Sequence, residues 1–162
     1  MGAKKLMVIV SILVAIGMHS SCSQENAGPM YSPQTFSYKV ESVTYSGGLV
    51  DAGYTDSTKT FHLELYSNPV YENYLFIDMA GSPYLAPGIY PLGYDSATNV
   101  TLQMVLYKDG SHPFAATTGN LTITSFDSTN RKMAGEFHFT GKLYNDVLHI
   151  TAGSFDLGYR LK

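Results

Sequence analysis

The 162-residue sequence has no tryptophan and a single cysteine, and only 14% of it is charged. One thiol excludes an internal disulfide framework and any zinc site built on several cysteines. Ten basic residues against 13 acidic ones leave a net charge of −3, which excludes the broad basic surface of a nucleic-acid binder. So little charge beside 13 tyrosines and 8 phenylalanines also excludes a disordered chain. No Gly-x-Ser-x-Gly elbow occurs, and no glycosidase motif surrounds the acidic residues. Catalytic residues are therefore not expected.

The longest apolar run, Leu6 to Met18, is 13 residues, whereas a membrane-spanning helix needs about 20. With Lys4 and Lys5 before it and His19-Ser20-Ser21-Cys22 after it, the run has the length and flanks of a signal-peptide core. This arrangement resembles a bacterial lipoprotein signal. Ser20 and Ser21 fill the small positions, while His19 stands where the usual motif has leucine. The resemblance implies cleavage before Cys22 and diacylation of its sulfur; ordinary secretion with a free thiol is the alternative. The expected organisation is a signal peptide at 1–21, a lipidated flexible tether at 22–33, and one all-β domain at 34–162. Two acyl chains hold a protein at a membrane far better than one. The membrane is therefore an expected partner and a bacterial envelope, outer membrane included, the expected location. Glu25, close behind Cys22, resembles a weak form of the acidic surface-export signal of Bacteroidetes surface lipoproteins, and which face carries the domain stays open. Cleavage removes Lys4 and Lys5 and keeps every acidic residue, so the net charge falls from −3 to −5.

From residue 34 onward the pattern has period two. Phe61, Leu63 and Leu65 alternate with His62, Glu64 and Tyr66, and the same alternation runs through Leu102 to Leu106, Leu121 to Ile123, Phe137 to Phe139, Leu148 to Ile150 and Phe155 to Leu157. That is the signature of half-buried antiparallel strands. Turn residues fall between the runs, among them Gly47-Gly48, Asp109-Gly110 and Asn145-Asp146. About eight to ten strands are expected, in an antiparallel β-sandwich or, as the alternative, a lipocalin-like β-barrel. Gly119, Gly135 and Gly153 each precede an alternating apolar pair. They are either three turns of a true repeat or turn glycines that coincide with the alternation.

Pro87-Gly88-Ile89-Tyr90-Pro91-Leu92, the run from Gly119 to Asp127, Gly135 to Thr140 and Ile150 to Phe155 carry a family resemblance. In that order they are similar to the DUF6252-like group of small Bacteroidetes lipoproteins of unknown function. The likeness covers about residues 85–158; residues 34–80 match less well, and the lack of tryptophan departs from many members. It implies fold and origin and brings no activity.

Three sets of side chains are chemically suggestive. His62, Glu64, Glu136, His138 and His149 occupy polar positions of their strands and would ligate a divalent metal only if those strands adjoined. A solvated outer face explains them without one, so no metal and no cofactor is expected. Tyr71, Tyr74, Tyr84, Tyr90 and Tyr94 crowd a proline-rich span, and exposed tyrosines supply rigid amphipathic contact area for a glycan or an envelope protein. Packing at half-buried positions is the competing role. Ser57, Ser96 and Ser128 each follow an aspartate in a turn; the pattern resembles the O-glycosylation motif of exported Bacteroidetes proteins, although turns favour Asp-Ser in any case. The expected function is a lipid-anchored, non-catalytic binding or structural module that presents loops to a glycan or protein partner. The alternative is a lipocalin-like carrier of a small apolar ligand, and nucleic acid is not an expected partner.

Overall fold

The computed structural model describes residues 34–47, 49–67, 73–81 and 85–162. Cys22, the signal peptide and the tether lie outside them. Among the described residues every regular element is a strand: β1 (Thr35–Val40), β2 (Val43–Ser46), β3 (Leu49–Thr55), β4 (Thr60–Tyr66), β5 (Asn73–Ala80), β6 (Gly88–Pro91), β7 (Gly93–Asp95), β8 (Val100–Lys108), β9 (His112–Asp127), β10 (Lys132–Leu143), β11 (Asp146–Gly158) and β12 (Arg160–Leu161). Alternation becomes structure directly. On β4, Phe61, Leu63 and Leu65 are fully buried, while His62, Glu64 and Tyr66 are half-exposed on the opposite face.

All twelve strands share one sheet, in the order β12-β3-β4-β5-β8-β9-β10-β11-β1-β2, with β6 added to β9 and β7 to β8. The pairs are antiparallel except β12, which runs parallel to β3, so the sheet is mixed. This exception forces the shape. β11 pairs with β10 and β1 near one flank, and Tyr159 alone separates it from β12 on the other. One residue spans at most about 3.6 Å, so the sheet must curl until its flanks meet the same short piece of chain. It forms a curled half-barrel. Tyr159 is buried at this seam, stacked on Phe126 at 5.5 Å and edge-on to Phe61 at 6.5 Å.

The concave face holds one apolar core from Phe36 to Tyr159. Tyr38 is fully buried, stacked on Tyr45 at 5.5 Å. Its hydroxyl finds no hydrogen-bond partner among the described residues. Burial therefore pushes its pKa up to about 12.

The three glycines answer to a common geometry. Gly119 lies opposite Phe139, Gly135 opposite Phe155, and Gly153 opposite Phe137. A Cβ on Gly135 would sit 2.6 Å from the Phe155 ring, and one on Gly119 would meet the Phe139 Cβ at 2.6 Å. Bare Cα atoms let phenylalanine rings lie across neighbouring strands where the ladders are bulged.

Antiparallel pairing sends alternate hairpins to opposite ends of the sheet. The turns at 56–59, 96–99 and 128–131 emerge at the end where the chain enters β1 at Thr35. Turns 41–42, 109–111 and 144–145 lie at the other end.

Candidate functional site

Strand register decides what the convex face presents. Leu49, Tyr66, Tyr74, Tyr107 and Pro113 form one cross-strand row over β3, β4, β5, β8 and β9. Asp51, Glu64, Phe76, Val105 and Ala115 form the row beneath, and Gly53, His62, Asp78 and Gln103 the third. Side chains on one face of neighbouring strands stand about 5 Å apart, close enough for rings to stack. Tyr74 and Tyr107 lie 4.6 Å apart at 13°, and Tyr66 joins them 5.5 Å from Tyr74. Phe76 meets Tyr74 and Tyr107 edge-on at 5.3 and 5.5 Å.

This ladder sits toward the end opposite the chain's entry into β1, and its tyrosines are half-exposed. Atoms in contact need about 3.5 Å, so rings 4.6 Å apart leave no room between them for a ligand. The faces of Tyr74 serve its neighbours, and the tyrosine edges remain for contact. The Tyr74 hydroxyl donates to the Gly110 carbonyl at 3.3 Å, which fixes the ring further. Side chains already held in one geometry lose little entropy when a partner covers them.

A polar network borders the ladder. The Tyr66 hydroxyl donates to Glu64, whose other oxygen lies 2.7 Å from His62 Nε2; His62 Nδ1 meets the Asp78 carboxylate. The hydrogen bond to Glu64, with burial behind it, pushes the Tyr66 pKa up to about 12, so the phenol stays a donor. Burial alone would lower the His62 pKa, but its hydrogen bonds to Asp78 and Glu64 outweigh that and raise it. Asp51 is paired with Arg160 at 2.6 Å and with Lys162 at 3.8 Å. Its pKa is lowered, chiefly by the Arg160 hydrogen bond.

The five tyrosines expected to act together do not form one cluster. Tyr74 stands in the ladder. Tyr90 is a correction: it is 6% exposed, with its hydroxyl donating to the Ala86 carbonyl at 2.7 Å, and serves packing. Tyr94 is 65% exposed but pairs with Thr101 near the opposite end of β8, donating to Asn99. Tyr71 and Tyr84 lie outside the described residues. Tyr66, Phe76 and Tyr107 complete the surface instead; their outward strand parity was available in the sequence, but their alignment was not.

The histidine and carboxylate positions also separate. β5, β8 and β9 stand between β4, with His62 and Glu64, and β10, with Glu136 and His138. His149 on β11 contacts Thr140 at 3.2 Å. Among the described residues no three His, Cys, Asp or Glu side chains converge to hold a metal ion. The outer surface of β9–β11 carries two open depressions of about 320 and 510 Å3 that share Asn120 and His138.

Ser57, Ser96 and Ser128 are all exposed in four-residue turns at one end of the sheet. Each turn closes on a residue of positive φ: Lys59, Asn99 or Arg131. Asp95 accepts from the Ala97 amide and the Thr98 hydroxyl, and Asp127 from the amides of Thr129 and Asn130. These bonds lower both aspartate pKa values and account for Asp at the turn entry on structural grounds. Comparison of the chain with protein-family models, with curated proteins and with solved structures finds no match.

Proposed function

We propose that this protein is a lipid-anchored, non-catalytic binding module of a bacterial envelope. Its partner-facing surface is the convex β4–β5–β8 face, and its partner is a glycan or an envelope protein. The observation that carries this reading is the outward ladder of Tyr66, Tyr74 and Tyr107, in which Tyr74 stacks on Tyr107 and Tyr66 packs against it at a tilt of 33°. Apolar surface ordered in advance and left facing solvent is characteristic of interaction sites.

The anchor rests on the sole cysteine, placed directly behind the 13-residue apolar run. The likeness to small Bacteroidetes lipoproteins agrees with it. The chain enters β1 at the end of the sheet opposite the ladder, so the domain's N-terminal connection does not start from the proposed binding face. The curl of the sheet favours a lipocalin-like barrel over a sandwich. Full burial of Phe61, Leu63, Leu65 and Leu106 on the concave face favours a surface binder over a carrier of a small apolar ligand. Ser57, Ser96 and Ser128 are the proposed O-glycosylation sites, since all three hydroxyl-bearing turns are exposed.

The test compares the mature domain with a Tyr74→Ala/Tyr107→Ala variant on a glycan array and in cross-linking to intact envelopes. Saturable binding that the variant loses while keeping its circular dichroism spectrum supports the reading. Equal binding by both proteins, or binding by neither, rejects it.

A further inference from the structure

His62 occupies the junction between the charged and aromatic parts of the convex face. Nδ1 meets Asp78 from β5, and Nε2 lies 2.7 Å from Glu64 on its own strand. Glu64 in turn holds the Tyr66 hydroxyl, and the imidazole packs 5.6 Å from the ring of Phe76. One side chain therefore touches two members of the aromatic surface, one directly and one through a single carboxylate.

Counting donors shows what a proton does here. Ionised carboxylates only accept hydrogen bonds, an imidazolium donates from both nitrogens, and a neutral imidazole donates from one. Both contacts of His62 hold only in the cation. When the proton leaves, one nitrogen turns a lone pair toward a carboxylate oxygen, and that contact becomes repulsive. Asp78 has no other hydrogen-bond partner among the described residues, whereas Glu64 keeps the Tyr66 hydroxyl. The Nε2–Glu64 contact is the one that gives, and Tyr66 moves with Glu64.

The surroundings favour the cation. β4 contributes Glu64 and β5 Asp78; from β3 comes Asp51, already compensated by Arg160 and by Lys162 beyond β12. β8 supplies only the uncharged Gln103 to this row. The two carboxylates bonded to the ring act on it most directly, and Asp51 on the neighbouring strand still couples to it; the hydrogen bonds to Asp78 and Glu64 outweigh burial in raising its pKa above the usual 6.5.

We propose that His62 is a proton switch of the tyrosine face. As imidazolium it locks Glu64, Tyr66 and Phe76 into the binding geometry; on losing the proton it releases Glu64 and loosens that corner. The biological use of the switch rests on the binding reading above, whereas the switch itself needs no partner.

The experiment is a titration of isotope-labelled mature domain by NMR from about pH 5 to about pH 9, following the His62 ring nitrogens and the ring signals of Tyr66 and Phe76. The expected result is one shared midpoint above 6.5 for all three residues, with Nδ1 keeping its proton on the alkaline side. His62→Gln removes the transition from Tyr66 and Phe76. Glu64→Gln, which preserves the shape, leaves His62 titrating at a lower pH and uncouples Tyr66; it serves equally if His62→Gln does not fold. Tyr66 and Phe76 signals that stay flat while His62 titrates overturn the proposal, as does a midpoint in them that survives His62→Gln. Because no ligand enters the titration, a failed capture experiment counts against the binding reading alone, and a flat titration against the switch alone.

Discussion

The ring of Phe137 lies across Gly153 of the neighbouring strand so closely that the glycine has no room for a Cβ. Two residues further along the same strand pair the relationship is mirrored: Phe155 covers Gly135, and the two rings stack at 6.4 Å. Gly153→Ala or Gly135→Ala must push a buried ring out of place, a change that costs about 1–3 kcal/mol in packed cores. Gly88 is the control, since a Cβ there meets nothing closer than 3.9 Å; its alanine variant should stay within about 0.5 kcal/mol of the parent. Urea unfolding midpoints of the three variants check this.

Tyr90 and Tyr74 should part company on substitution. Tyr90 is buried and bonded to Ala86, so Tyr90→Ala should cost about 3–5 kcal/mol, as for other large buried rings. Tyr74→Ala loses a half-exposed stacked pair, worth about 0.5–1.5 kcal/mol, and should instead abolish partner capture. Thermal melts set beside binding data distinguish the two; similar melting losses would place Tyr74 in a packing role.

Two ion pairs should give stability opposite dependences on pH. The His62 pKa is raised in the fold, so its contribution is complete below 6.5 and is lost as pH climbs through the folded value. The Asp51 pKa is lowered, so its contribution is present above 3.8 and is lost as pH falls through the folded value. Arg160→Ala should cost about 0.2–1 kcal/mol at neutral pH, the range for exposed pairs, and flatten the acid limb. Unfolding free energies measured across both ranges, with Arg160→Ala and His62→Gln, test the assignment.

The proposed lipid anchor makes a direct prediction. Cys22→Ser should move the protein from the membrane fraction to the soluble fraction of the envelope. Intact mass of the native protein should exceed that of the bare chain from Cys22 onward by the mass of the lipid. Added hexose that disappears on replacing Ser57, Ser96 and Ser128 together would place glycans on the exposed turns.

Much of the architecture was legible in the strand alternation. Phe61, Leu63 and Leu65 point inward, as do Leu121 and Ile123, because period-two side chains must take opposite faces of a pleated strand. The turn at Asp109-Gly110 was legible too, from its own backbone preferences, whereas the turn expected at Asn145-Asp146 falls one residue earlier, on Tyr144-Asn145, with the positive φ on Tyr144. The parallel β12–β3 pair was not legible. Two residues near the end of the chain carry no periodicity, and their pairing depends on a curl produced by the whole sheet. Tyr90 shows the same gap: its crowding with Tyr94 in sequence suggested a shared surface, yet β6 and β7 join different strands and turn one ring inward.

The all-β character, the inward residues of each long strand and the position of the lone cysteine follow from local periodicity and composition alone. Tertiary structure decided which strands adjoin, and with that the site. Tyr66, Tyr74 and Tyr107 are 8 and 33 residues apart along the chain, and only the pairing of β4, β5 and β8 sets them in one row. The same pairing brings Asp78 to His62 and leaves three strands between His62 and the Glu136–His138 pair. Local chemistry specifies the face a side chain takes; register, a property of the assembled sheet, specifies its neighbours.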